Sequence, residues 1–96
     1  MEEYTVTQLS NLIKKSIEQS FGRIYLKGEI SGLKIHSSGH AYFSLKDSES
    51  IIAAVCWKWS LQRQTIKIEE GMEVKCFGSA TVYPPQSKYQ FAVERF

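Results

Sequence analysis

Apolar side chains at Val6, Leu9, Ile13 and Ile17 recur at steps of three and four, which predicts one amphipathic helix over residues 5–21. Thr5 with Gln8 fits a capping box at its start, Thr7 is the competing N-cap, and Phe21-Gly22 closes it. The stripe is expected to pack against the rest of the fold, leaving Lys14 and Lys15 in solvent. From Arg23 the period changes to two. Ile24, Leu26 and Ile30 share one face of a first strand, and Tyr25, Lys27 and Glu29 share the other. Gly28 marks a bend or bulge within it. A second strand over 40–46 turns Ala41, Phe43 and Leu45 to the core and Tyr42, Ser44 and Lys46 outward. Asp47-Ser48-Glu49-Ser50 is a hairpin turn, and Ile51 to Trp57 a third strand. Ser60 to Gln64 predicts a short helix, and Glu69-Glu70-Gly71 a turn. A fourth strand then runs from about Met72 to Tyr83 with Gly78 at a bend, is broken by Pro84-Pro85-Gln86-Ser87, and is followed by a fifth from Tyr89 to Phe96.

Helix, three strands, a partly helical connection and two strands predict an all-β fold with a leading α-helix. The arrangement is a five-stranded Greek-key barrel of the OB type, with the helix over about 5–21 and the barrel over about 23–96. Closure removes the edges that an open sheet would leave. An SH3-like barrel is the main competing architecture.

Composition narrows this little. The 96 residues allow one small domain, 1–96, and 43% hydrophobic with 23% charged residues is ordinary for a globular chain. No apolar run approaches the roughly 20 residues that cross a bilayer, and the acidic start, Met1-Glu2-Glu3, lacks the apolar core of a secretory signal. A cytoplasmic protein with no membrane partner is expected. Net charge is only +2, and residues 23–47 hold the excess, with Arg23, Lys27, Lys34 and Lys46 against Glu29 and Asp47. Any polyanion binding should therefore be modest and salt-sensitive. Cys56 and Cys76 sit in apolar strands at a spacing that fits neither a redox pair nor a zinc knuckle, so buried reduced thiols are expected.

Candidate chemistry gathers around the turn between the first two strands. OB barrels bind ligands across strands two and three, flanked by the loops joining strands one to two and four to five, here about 31–39 and 84–88. Lys34 and Lys88 put a cation in each. Ser37, Ser38 and Gly39 offer hydroxyls and amide N–H groups suited to phosphate oxygens, although Ser-Ser-Gly also reads as a plain turn. Tyr42 and Lys46 face outward, and Trp57-Lys58 ends strand three with an aromatic beside a cation, the pairing that stacks a base and attracts its phosphate. Trp57 equally reads as a plug closing the barrel end. Tyr83 and Tyr89 bracket the second loop as stacking or hairpin residues. His36 and His40 have the four-residue spacing of a metal pair on a helix, but Ser-Ser-Gly between them argues against a helix and no third ligand is near. Phosphate or base contact suits them better. Asp47 and Glu49 are a close acidic pair that the hairpin turn explains. No catalytic residue, metal or cofactor is expected in this chain.

These motifs resemble the N-terminal domain of the large subunit of bacterial exonuclease VII. The matching stretches are Tyr4-Thr5-Val6 with Gln8-Leu9, Gly28-Glu29-Ile30-Ser31 with Lys34, Ser38-Gly39-His40, Tyr42-Phe43 and Leu45-Lys46-Asp47. Gly71, Val74 and the run from Tyr83 to Tyr89-Gln90 also match. The resemblance implies an OB-fold domain that binds single-stranded DNA, in a longer subunit whose nuclease region lies after it. Its implied partners are the remaining large-subunit domains and a small helical subunit. It also implies a groove role for the aromatic-then-basic pair Trp57-Lys58. Ala41 departs from the aromatic that the family often carries there, and Gln86-Ser87 from its usual arginine-glycine pair, a charge that Lys88 partly replaces.

The expected site is thus Lys34, Lys46, Lys58 and Lys88 on phosphates, Tyr42, Trp57 and Tyr83 against bases, and His36, Ser37, Ser38 and His40 positioning the backbone. The rival reading is a protein-docking barrel with Tyr25, Tyr42 and Trp57 as its contact patch.

Overall fold

A computed structural model describes all residues 1–96. Helix α1 (Val6–Phe21) is capped by Thr5 rather than Thr7: the Gln8 N–H donates to Thr5 Oγ1 at 3.0 Å and the Thr5 N–H to Gln8 Oε1 at 2.8 Å. A cap of this kind is worth about 0.5–2 kcal/mol. Gly22 ends the helix at φ +58.

Strands β1 (Arg23–Ile35), β2 (Ala41–Lys46), β3 (Ile51–Cys56), β4 (Glu73–Tyr83) and β5 (Lys88–Arg95) close a barrel in the order β1-β2-β3-β5-β4. A short helix α2 (Lys58–Leu61) joins β3 to β4, and a single 3-10 turn (Pro84–Gln86) joins β4 to β5. Only β3 and β5 run parallel, and that pair closes the Greek key. The barrel is the OB arrangement that the strand pattern predicts, with its leading helix in place.

β1 is long because it serves two neighbours, pairing with β4 through Arg23–Glu29 and with β2 through Glu29–Ile35. Gly28 lies at the changeover, where a Cβ would meet the Lys46 carbonyl at 3.3 Å. The strand also runs past the point where the sequence pattern predicts a loop over 31–39; the connection is only 36–40. Between Ser31 and Lys34 β1 carries one residue more than β2, with Gly32 at φ +66. The Gly32 and Leu33 N–H groups donate to the carboxylate of Glu70 at 2.9 and 2.8 Å. That distant carboxylate satisfies the bulge, so β1 resumes pairing instead of ending. A second bulge places Glu94 as the extra residue of β5 between Val93 and Arg95, opposite Phe77 and Gly78. A Cβ on Gly78 would lie 2.0 Å from the Ala92 carbonyl oxygen, so only glycine fits there.

The core joins Ile30, Phe43, Leu45, Val74, Phe91 and Val93 around the barrel interior, with Ile68 from the α2–β4 connection. Ala41, Phe43 and Leu45 face it as the alternation requires. Cys56 and Cys76 are free and buried, and desolvation pushes their thiol pKa values up to about 11 and about 12.

The helix departs from expectation. Its stripe does not pack down: Val6 is 79% exposed, and Leu9 and Ile13 remain in solvent. The buried face is Ser10, hydrogen-bonded to Ser87 just after the 3-10 turn, with Ile17 and Lys14 half-buried. Glu18 accepts from Thr81 at 2.7 Å. These polar contacts set the rotation of α1, and only Ile17 and Phe21 reach the apolar cavity lined by Ile24, Leu26, Ile52 and Phe91.

Candidate nucleic-acid interface

The β1–β2 connection is closed by its own backbone. The His36 N–H donates to the His40 carbonyl at 2.9 Å and the Gly39 N–H to the His36 carbonyl at 2.8 Å. Gly39 takes φ +94 and packs on Lys58, where a Cβ would come within 2.9 Å of Lys58 Cδ. His36 Nδ1 accepts from the Ser38 N–H at 3.1 Å and lies 3.0 Å from its hydroxyl. The Lys58 N–H donates to His40 Nδ1 at 3.0 Å, which assigns the proton of the neutral ring to Nε2. The start of β2 and the end of β3 are thereby tied at one end of the barrel.

Five rings gather there. His40 meets Trp57 edge-on at 5.1 Å between centroids, Trp59 at 5.7 Å and Tyr42 at 6.5 Å. Tyr42 also meets His36 at 6.3 Å and Trp57 at 6.5 Å, and Trp57 and Trp59 lie nearly parallel at 6.2 Å. Edge-on packing braces the rings against one another. Trp59 is 56% exposed and Tyr42 42%. Lys34, the register partner of Tyr42, and Lys58, between the tryptophans, are both exposed. The assembly offers ring faces to bases and ammonium groups to phosphates.

Of the expected residues, the structure brings together His36, Ser38, His40, Tyr42, Trp57 and Lys58, with Lys34 alongside; Ser37 is exposed at the turn. Trp57 is half-buried within the cluster, between the plug and platform readings. Three expected residues stand apart. Tyr83 and Lys88 face each other at the start of β5, and the β3–β5 register sets that end level with Ile51, at the far end of β3 from Trp57. Six residues of strand, about 20 Å, intervene. Lys46 closes β2 at that same far end, and its ammonium pairs with Glu29 at 3.6 Å. Tyr25 of the rival docking patch stays 57% exposed but packs on Phe77 at 5.1 Å beneath the Lys75 ammonium, with no ring contact to Tyr42 or Trp57. Asp47 Oδ1 accepts from the Glu49 and Ser50 N–H groups at 2.9 and 2.8 Å, which lowers its pKa and makes the acidic pair a turn. No group of three or more histidine, cysteine or acidic side chains converges as a metal site.

Trp59 is the residue that sequence reasoning missed. A helix predicted over 60–64 leaves Trp59 in a connection, whereas α2 begins at Lys58 with Trp57 as its N-cap, turning Trp59 back alongside Trp57. The Trp57-Lys58-Trp59 triplet was the available signal.

A closed five-stranded Greek-key barrel with an aromatic, lysine-flanked patch at the β1–β2 turn defines an OB fold of the nucleic-acid-binding kind. The chain belongs to that family: the model described as "OB-fold nucleic acid binding domain" matches residues 4–96. It is similar to the protein named exodeoxyribonuclease 7 large subunit from Cereibacter sphaeroides, at 49% identity over 92 residues, covering 96% of this chain and 18% of that one. The protein of the same name from Brucella canis is 47% identical over 94 residues, covering 97% and 18%. The resemblance drawn from the motifs therefore holds across almost the whole chain, which spans under a fifth of those relatives' length. Among solved structures, a replication protein A heterotrimer bound to single-stranded DNA shares the fold, with a TM-score of 0.59 at 12% identity over 76% of this chain and 53% of that one. No helix is long and apolar enough to cross a membrane.

Proposed function

We propose that this domain binds single-stranded DNA without strong sequence preference. Trp59, Trp57 and Tyr42 stack bases, Lys34 and Lys58 hold phosphates, and His36, Ser38 and His40 shape the turn between them. The observation that carries the reading is the five-ring cluster with a lysine on either side, in a chain of only +2 net charge. Stacking tolerates any base, because every base has a ring face. Lys46, Tyr83 and Lys88 lie at the other end of the strands and would meet only a longer strand. In a protein built like the curated relatives, the domain would deliver single-stranded DNA to a nuclease region outside this chain. The remaining large-subunit domains and the small subunit would be its partners there, in the cytoplasm.

The test is tryptophan quenching by matched single- and double-stranded oligonucleotides at rising salt. Single-strand preference with an affinity that falls steeply with salt supports the reading. Quenching by neither form refutes it, and a partner protein that docks on the same face with little salt response would favour the docking alternative.

A further inference from the structure

All three arginines of the chain, Arg23, Arg63 and Arg95, line one cavity of about 460 Å3, and none of the nine lysines does. They come from the start of β1, the segment after α2 and the end of β5. Each is held differently. Arg23 pairs with Glu94 Oε1 at 3.1 Å. Arg95 lies over the Phe77 ring at 4.4 Å and donates to the Tyr25 hydroxyl at 3.3 Å. Arg63 has no side-chain partner. Glu94 offsets one charge and leaves two, and its Oε2 is buried without a partner, an acceptor for a hydroxyl or amino group. Guanidinium forks converging on one space suit a tetrahedral phosphate better than scattered ammonium groups do.

Strand register places the cavity beside the end of β3 that leads into the ring cluster. β3 and β5 run parallel with Ala54 opposite Phe91 and Val55 opposite Ala92, so the same register carried two residues further sets Trp57 level with Glu94. Gln64 ties the end of α2 to this spot. Its Nε2 donates to the Glu94 carbonyl at 3.0 Å and its Oε1 accepts from the Phe96 N–H at 3.1 Å. A strand stacked on the tryptophans and crossing from β3 to β5 arrives at the arginines.

We propose that this cavity is a phosphate-binding subsite for the backbone of a single strand, beyond the bases stacked at Trp57 and Trp59; it rests on the single-strand reading above. Anisotropy titrations of labelled oligo-dT, a trimer and a 12-mer, compare wild type with an Arg63→Gln/Arg95→Gln variant. The variant should lose about tenfold in affinity for the 12-mer and keep the trimer within about twofold. Its log–log salt slope on the 12-mer should drop by about 1.4, two contacts at about 0.7 each. Equal losses on both lengths, or an unchanged slope, overturn the proposal. Arg63→Gln alone leaves the Glu94 pair and the Tyr25 bond intact, and should give half that slope change even if the double variant folds poorly. Calorimetry with inorganic tripolyphosphate separates the other source of phosphate: its binding, with the 12-mer indifferent to the variant, would assign the cavity to a free anion and overturn the strand reading. Trp59→Ala on the trimer probes stacking alone, so failure there falls on the ring cluster and not on the cavity.

Discussion

Replacing Trp59 by alanine separates binding from folding at the ring cluster. The residue is 56% exposed, so folding removes only about 100 Å2 of it from water, or about 2.5 kcal/mol as an upper bound. A domain with ordinary stability of about 5–15 kcal/mol survives that loss. Trp57 is the poorer target, because it is half-buried and caps α2. On the binding side, Trp59 supplies one broad face beside Trp57, and a stacked base is worth about 1–3 kcal/mol, which is about five- to 150-fold in dissociation constant. The assay is fluorescence anisotropy of a labelled oligo-dT at low salt, with urea unfolding of the same preparation to show that the variant is folded. Its salt slope should match wild type, because no phosphate contact is removed. A folded Trp59→Ala that binds within twofold of wild type would refute the stacking role, and a slope that collapses would mean that Trp59 acts by placing Lys58.

Gly78→Ala should destabilise by about 3 kcal/mol or more in urea unfolding, because its methyl carbon would sit 2.0 Å from the Ala92 carbonyl oxygen and the β4–β5 pair must part to admit it; near-wild-type stability would refute that close approach. Glu70 is held below its ordinary carboxyl pKa of 4.5 by the Leu33 and Gly32 N–H groups, so the unfolded chain binds its proton first. Its stabilising share is complete above about pH 4.5 and is lost as pH falls through the lowered folded value; Glu70→Gln should be less stable at neutral pH and lose less on acidification than wild type, with the loss that remains coming in part from Asp47, which titrates in the same direction. Cys56 and Cys76, with pKa values of about 11 and about 12, should resist a thiol reagent at pH 8 in the native state and react only as fast as the barrel opens; prompt labelling of either would contradict their burial.

The barrel was legible because its cues are local. Ala41, Phe43 and Leu45 alternate with Tyr42, Ser44 and Lys46 without interruption, and the core takes the first set entirely. The end of β1 was not legible, because Ser31-Gly32-Leu33 has the composition of a turn. What keeps it in the sheet is Glu70, nearly forty residues away, accepting two amide protons that a bulge would otherwise strand. The site divides in the same way. His36, Ser38, His40 and Tyr42 are neighbours in the chain and were found together, whereas Tyr83 and Lys88 were grouped with them only through the general OB loop pattern. The parallel β3–β5 pairing puts that loop at the opposite end of β3 from Trp57. Trp59 depended on where α2 starts, a matter of two residues, and element boundaries are the least local of the sequence cues.

The leading helix carries the argument one step further. Its apolar stripe was read correctly from period, yet period specifies a face and not what that face meets. Ser10, on the flank of the stripe about a sixth of a turn from its centre, is the residue buried, because its hydroxyl finds Ser87 and Glu18 finds Thr81 on the outer side of the barrel. The outer positions of β4 near the helix, Ser79, Thr81 and Tyr83, are polar or polar-tipped, so an all-apolar stripe laid on them would have covered hydroxyls without supplying partners. Rotating the helix brings Glu18 to the Thr81 hydroxyl and Ser10 to Ser87, and still lets Ile17 and Phe21 reach the apolar mouth of the barrel. The cost is Val6, Leu9, Leu12 and Ile13 left in water. Glu70 and His40 likewise accept backbone N–H groups from segments distant in sequence, Gly32 and Leu33 in one case and Lys58 in the other.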